Sequence, residues 1–571
     1  MSGRPKHNSG MQRGGMAKGA ALALAAVLCG AGAAAETGRA ISGAYAPGPY
    51  AVGVRSNFVK DFSHTFDGWG AQYKSGRYRE LLARIDASGE PSTTVTNIYY
   101  PSPPGDVRVA RRAGLHPSAL WAARSGRRQT TLDLFMGDKA LARQMMFFFQ
   151  RRHSFQSFVG APLAEGRFPL VVMVHGLGGG LGNWNRAAEY LASHGYIAVT
   201  LAYSSDSSDT PVFHDPNSFF AKTVDSGERL DAYKLISRES PVFLNFFRFL
   251  YGFQGDEIDG PGDIPDPATL RARRGGGLEA AQMMARLFEQ RLEDLGAVLR
   301  EMKALDGSAE SCRAELEVRG IKKEICGFFT GAVDSERVGV MGHSLGSITA
   351  QAAAAFLPEV DTAIGFNNGL PRRWEPYGGF PNRSKRPLPD GVPKPLMLVI
   401  GSDDAFVHMV FRDIHMKWFE QAGGDLDETY PLDIERVWPT PDNPQPIARA
   451  AYERALGAKA LIMFRNQGHE TATDDELDPE KPGRKATGRR VPFTRDAGPF
   501  WKLEKFKIRP WVQDEGGDIF LPHQMRNYFI TAWFDWQLKD DEAARAKITQ
   551  HPFQNGVQML LSEGVSPASA P

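Results

Sequence analysis

The chain has 571 residues, with 67 Lys+Arg against 66 Asp+Glu and a formal net charge of +1. That length holds one large decorated domain or two or three ordinary ones. The even balance, with no long block of one sign, excludes an electrostatic nucleic-acid binder.

At the N-terminus, Arg4, Lys6, Arg13 and Lys18 precede the apolar run GAALALAAVLCGAGAAAE, in which Ala33 and Ala35 satisfy the small-x-small cleavage rule. A charged start, a short apolar core and Ala-x-Ala read as a secretory signal peptide over residues 1–35, leaving residues 36–571 as a single exported domain, periplasmic or secreted. The competing reading is a retained membrane anchor, but a run of roughly 16 apolar residues is shorter than the ~20 needed to span a bilayer. If Cys29 leaves with the signal, Cys312 and Cys326 remain. An even pair in an exported chain, separated by a short polar stretch, reads as a disulfide.

Residues 106–160 hold an aromatic-rich stretch, RQMMFFFQRRHSF, and read as an insertion. The regular pattern then begins. FPLVVMVHG (168–176) is a buried-strand run ending in glycine, NRAAEYLASHGY (185–196) is helical, and IAVTLAY (197–203) is again a strand. Residues 206–277 break the pattern with the Phe-rich SPVFLNFFRFLYGF and the Gly/Pro/Asp-rich GDEIDGPGDIPDP, a second insertion that reads either as a lid over the site or as a decoration on the sheet's flank. A helix follows with Leu278, Ala281, Ala285, Phe288, Leu292, Leu295, Leu299 and Met302 on one apolar stripe. Four more strands are expected at RVGVMG (337–342), TAIGFNN (362–368), PLMLVIG (395–401) and KALIMFRNQ (459–467). After a polar loop at 474–495, the helix MRNYFITAWFDWQLK (525–539) ends the pattern. Near-continuous apolar strands alternating with helices imply an α/β fold with a mostly parallel sheet covered on both faces.

The chemistry centres on GVMGHSLGSI, residues 339–348. A Gly-x-Ser-x-Gly match alone is weak in a chain with 60 glycines. Here it lies between a strand and a helix, the setting in which a tight turn lifts a serine hydroxyl over the sheet edge. Ser344 is therefore the candidate nucleophile, and it needs a base oriented by a third group. LMLVIGSDDAFV places Asp404 past the end of one strand, with Asp403 as the alternative acid. ALIMFRNQGHETATDD places His469 past the end of another, with His408 and His523 as alternatives. Both strand ends lie where ligands bind in parallel sheets. The loop VHGLGGG (174–180) offers backbone donors for an oxyanion, with the N–H groups of Leu177 and Leu345 as the pair. It lacks the lysine and spacing of a phosphate cradle.

The segments HGLGG, AEYLASHGYIAVTLAY, VGVMGHSLGS, GSDDAFV and GHETATD together resemble the α/β-hydrolase superfamily, specifically bacterial proteins similar to platelet-activating-factor acetylhydrolase and dienelactone hydrolase. The upstream GPYAVG and TNIYYPS fit its N-terminal strands. The resemblance implies an α/β-hydrolase fold, a triad of Ser344, Asp404 and His469, and an oxyanion site at Leu177 and Leu345. It implies a serine esterase that uses no metal or cofactor, with a small-molecule or lipid ester as substrate and peripheral membrane contact as an option. A non-catalytic binding protein on the same scaffold and a serine peptidase are the alternatives. Ser347 departs from the pattern, standing where a second glycine is common, and 65 positions separate Asp404 from His469.

Overall fold

The computed structural model describes residues 47–65, 80, 83–84, 87–105, 111–112, 157–177, 179–203, 277–318, 325–370, 391–402, 404, 443–465, 467–469, 512–513, 519–520 and 522–565. The expected signal segment, the loop at 474–495 and nearly all of the two expected insertions lie outside these residues.

The strands, in chain order, are β1 (Ala51–Thr65), β2 (Pro91–Ser102), the short β3 (Arg111–Arg112) and β4 (Phe158–Val159), and β5 (Phe168–Val174). Then come α1 (Asn185–Ser193), β6 (Ile197–Ala202), α2 (Gly277–Asp306), α3 (Ala309–Val318), β7 (Val333–His343), α4 (Leu345–Phe356), β8 (Thr362–Phe366) and β9 (Leu396–Gly401). The chain continues through α5 (Pro446–Arg454), β10 (Lys459–Phe464), the two-residue β11 (Val512–Gln513) and β12 (Ile519–Phe520), α6 (Pro522–Lys539), α7 (Glu542–Thr549) and β13 (Val557–Glu563).

One sheet runs in the order β13-β10-β9-β8-β7-β5-β6-β2-β1-β4-β3. From β6 to β10 every neighbouring pair is parallel, whereas β2 is antiparallel to both β1 and β6. Counting only the eight long strands before β11, the spatial order is first, second, fourth, third, then fifth to eighth, with the second reversed. This is the α/β-hydrolase fold. β13 closes the far edge antiparallel to β10, an element that the apolar-run pattern does not announce because its residues are only half-buried.

Alternate residues of the central strands feed two separate cores. Leu170, Val172 and Val174 of β5 point to the face covered by α2, α4 and α5. Val171 and Met173 point to the other, covered by α1 and α6. A strand buried on both sides loses the polar half of its period, which is why these strands read as continuous apolar runs.

The stripe on α2 is buried where described, at Phe288, Leu292, Leu295, Leu299 and Met302. The buried arc is wider than the expected stripe, because Arg291, Asp294 and Glu301 are buried too. The antiparallel pair β1–β2 supplies polar partners for the two acids, with Ser92 Oγ donating to Asp294 (2.8 Å) and Asn57 Nδ2 donating to Glu301 (3.0 Å), and the loop after β5 supplies carbonyls for Arg291. A buried charge is tolerated when it is hydrogen-bonded, so these positions need not be apolar. Cys312 on α3 and Cys326 form a disulfide with Cα atoms 5.7 Å apart, fastening α3 to the turn before β7. No helix among the described residues is long and apolar enough to cross a membrane.

Candidate active site

The carboxyl ends of the parallel strands stand level with one another: Val174 pairs with Gly342, His343 with Phe366, Phe366 with Val399, and Gly401 with Phe464. Each candidate residue follows one of these ends within a few positions, so side chains scattered over nearly 300 residues of sequence share one rim.

Ser344 occupies the junction between β7 and α4 with φ 56° and ψ −117°. A non-glycine residue in that conformation carries strain of about 1–3 kcal/mol and persists only where its surroundings hold it. Its N–H donates to Phe366 O (2.9 Å). The two motif glycines make the turn sterically feasible. A β-carbon on Gly342 would collide with the Gly346 carbonyl, and one on Gly346 would lie 2.5 Å from Val174 O and 2.6 Å from His175 O. Ser347, the departure from the usual second glycine, is fully buried and donates through Oγ to Asn368 O (2.8 Å). It ties α4 to the end of β8 and leaves the turn unobstructed.

Asp404 and His469 meet with Oδ2 and Nδ1 2.8 Å apart, both buried. The alternative acid Asp403 and the alternative base His408 lie outside the described residues. His523 is buried on α6, and its pKa is held well below the usual histidine value, first by burial and then by Arg526 and Arg186. Ser344 Oγ makes no hydrogen bond to His469 among the described residues. Such bonds are commonly loose before substrate arrives and tighten in the complex.

Three further side chains hold this pair in place, one of them, His343, inside the serine motif and two outside it. Gln445, just before α5, donates through Nε2 to the Asp404 oxygen that faces His469 (2.5 Å). Asn367, itself at φ 54°, donates through Nδ2 to His469 O (2.5 Å) and accepts at Oδ1 from Gly401 N–H (2.9 Å), bridging the ends of β9 and β10. His343 Nε2 lies 2.7 Å from His469 O, and the two rings are 4.6 Å apart. Burial first, and then the neighbouring His469, lowers the His343 pKa to about 3, so the ring is neutral and Nε2–H is the donor to that carbonyl.

On the opposite side of Ser344, Leu345 is the first residue of α4, where no intrahelical acceptor exists for its N–H and the helix dipole is positive. Leu177 sits in the loop after β5, half-buried against the core. Neither N–H has an acceptor among the described residues. The loop presses on the elbow, since a β-carbon on Gly176 would lie 3.2 Å from Ser344 Cβ.

No protein-family model matches this sequence, and no curated protein matches it. Among solved structures it is similar to the ferulic acid esterase from Streptomyces cinnamoneus, at 16% identity over 87% of this chain and 92% of that one, with a TM-score of 0.40. The fold described above rests on strand order and direction, not on this likeness.

Proposed function

We propose that the chain is an exported serine hydrolase that cleaves carboxylic esters through Ser344, His469 and Asp404. The observation that carries this reading is the buried Asp404–His469 contact of 2.8 Å, placed at the same end of the sheet as the strained Ser344. A carboxylate on Nδ1 fixes the imidazole tautomer and leaves Nε2 as the basic nitrogen. Nε2 takes the proton of Ser344 Oγ as that oxygen attacks the ester carbonyl. The N–H groups of Leu177 and Leu345 receive the negative charge that develops on the carbonyl oxygen. His469 then gives the proton to the departing alkoxide, and water repeats the sequence on the acyl-enzyme.

The motif resemblance to platelet-activating-factor acetylhydrolase and dienelactone hydrolase supports small-molecule or lipid esters as the substrate class. Serine at the elbow favours simple esters over the chemistry of the cysteine-dependent dienelactone hydrolases. Export is supported by the signal-like N-terminus and by the Cys312–Cys326 disulfide, a bond that persists in oxidising compartments.

A fluorophosphonate probe tests the reading directly. The folded wild-type protein should label on Ser344 and hydrolyse p-nitrophenyl esters, and Ser344→Ala should do neither, with turnover lowered by several orders of magnitude. Turnover near that of the wild type in a folded Ser344→Ala protein ends the proposal.

A further inference from the structure

Arg291 is a buried charge that the chemistry above leaves unused. It lies on α2, fully buried, and its guanidinium donates through Nη1 to His175 O (2.9 Å) and through Nη2 to Gly176 O (3.0 Å). One planar fork therefore grips two consecutive carbonyls of the loop that follows β5. The Tyr203 ring at the end of β6 covers the guanidinium, with its centroid 4.9 Å from Cζ.

The Gly176 carbonyl and the Leu177 N–H belong to the same peptide unit. No cis peptide occurs among the described residues, and in a trans peptide the two groups point in opposite directions. Drawing the carbonyl toward α2 thus aims the N–H away from it. His175 Nδ1–H (2.6 Å) and Gly179 N–H (3.1 Å) reach the same oxygen. His175 Nε2 faces Tyr203 N–H at 3.4 Å, which suits the tautomer protonated on Nδ1. A cation on the carbonyl side also polarises the peptide and strengthens its N–H as a donor.

We propose that Arg291 is a positioning residue for the oxyanion site, setting the direction and strength of the Leu177 N–H donor. The proposal rests on the reading of Ser344 as the nucleophile. Through the peptide that it grips, Arg291 acts on the transition state without touching the substrate. Its loss must therefore appear in kcat rather than KM, since the charge on the carbonyl oxygen exists only once Ser344 has attacked.

The test compares wild type, Ser344→Ala, Arg291→Lys and Arg291→Met on p-nitrophenyl acetate, with a trifluoromethyl ketone as a tetrahedral analogue. Loss of one oxyanion donor costs roughly 10²–10³ in kcat. Arg291→Met should approach that loss with KM within about threefold of wild type, and affinity for the ketone should fall in parallel with kcat/KM. Arg291→Lys, which keeps the charge and loses the fork, should fall between the two. A folded Arg291→Met protein with wild-type kcat overturns the proposal while leaving the Ser344 reading intact. An inactive wild type, or an active Ser344→Ala, overturns both. Should the Arg291 variants fail to fold, a crystal structure of wild type carrying a phosphonate on Ser344 decides the matter. The phosphonyl oxygen should then lie about 2.7–3.1 Å from both Leu177 N and Leu345 N, with Arg291 still on the two carbonyls. An oxygen turned away from Leu177, or Arg291 released from the loop, overturns the proposal.

Discussion

The two sides of Ser344 are held by different means. On the acid–base side, neutral groups do the holding: the amides of Gln445 and Asn367 and the uncharged ring of His343. On the proposed oxyanion side the holder is a cation, Arg291, fixed on two carbonyls. The difference follows from what each side must do. In the proposed mechanism His469 gains and loses a proton, and a second full charge beside it would bias that equilibrium. In the same proposal the loop after β5 only has to present donors, which a buried cation behind the peptide would strengthen throughout the reaction.

Breaking the acid–base side alone should show what the oxyanion side contributes unaided. Asp404→Asn keeps the shape and removes the charge that selects the imidazole tautomer, so kcat should fall by about 10⁴-fold and leave a residue of catalysis above the uncatalysed rate. A decline of less than tenfold in single-turnover kinetics would move the acid elsewhere.

A smaller loss separates the holders from the held. Gln445→Leu removes a donor from a buried carboxylate, and hydrogen bonds to charged groups are worth about 1.5–3 kcal/mol. Turnover should fall roughly 10- to 100-fold with KM unchanged. An unchanged kcat in steady-state assays would reduce Gln445 to a packing role.

Neutrality on the acid–base side also has a signature in stability. The folded-state pKa of His343 is depressed to about 3 from an ordinary 6.5, so between those values the unfolded chain binds the extra proton. The stabilisation is fully present above pH 6.5 and is lost as pH falls toward 3. Melting temperature followed over that window should drop less steeply in His343→Asn than in wild type; parallel slopes would show that the ring titrates normally.

The smallest effect on rate belongs to a region outside both sides. Cys312→Ser should leave kcat unchanged and lower the unfolding free energy by about 3 kcal/mol, the chain-entropy value for a loop of this size. Denaturant titration checks the second statement, and a fall in kcat would mean that the segment before β7 reaches the elbow.

The strands, the elbow and the chain order of Ser344, Asp404 and His469 were legible in the sequence because each depends on neighbours within a few residues. A doubly buried strand is an apolar run, and a tight strand–helix turn requires glycine on either side of the serine. The holders were not legible. Arg291 reaches its carbonyl 116 positions back along the chain, Asn367 reaches His469 across 102, and Gln445 reaches Asp404 across 41. A stripe pattern on α2 also says nothing of Arg291, Asp294 or Glu301, since a charged residue in sequence looks solvated until a partner such as Ser92 or Asn57 is placed against it. Backbone preferences and burial periodicity act over one or two turns of chain and so belong to the sequence alone. Which polar groups may be buried depends on hydrogen-bond partners that only the folded sheet brings within 3 Å, and that was decided by the tertiary structure.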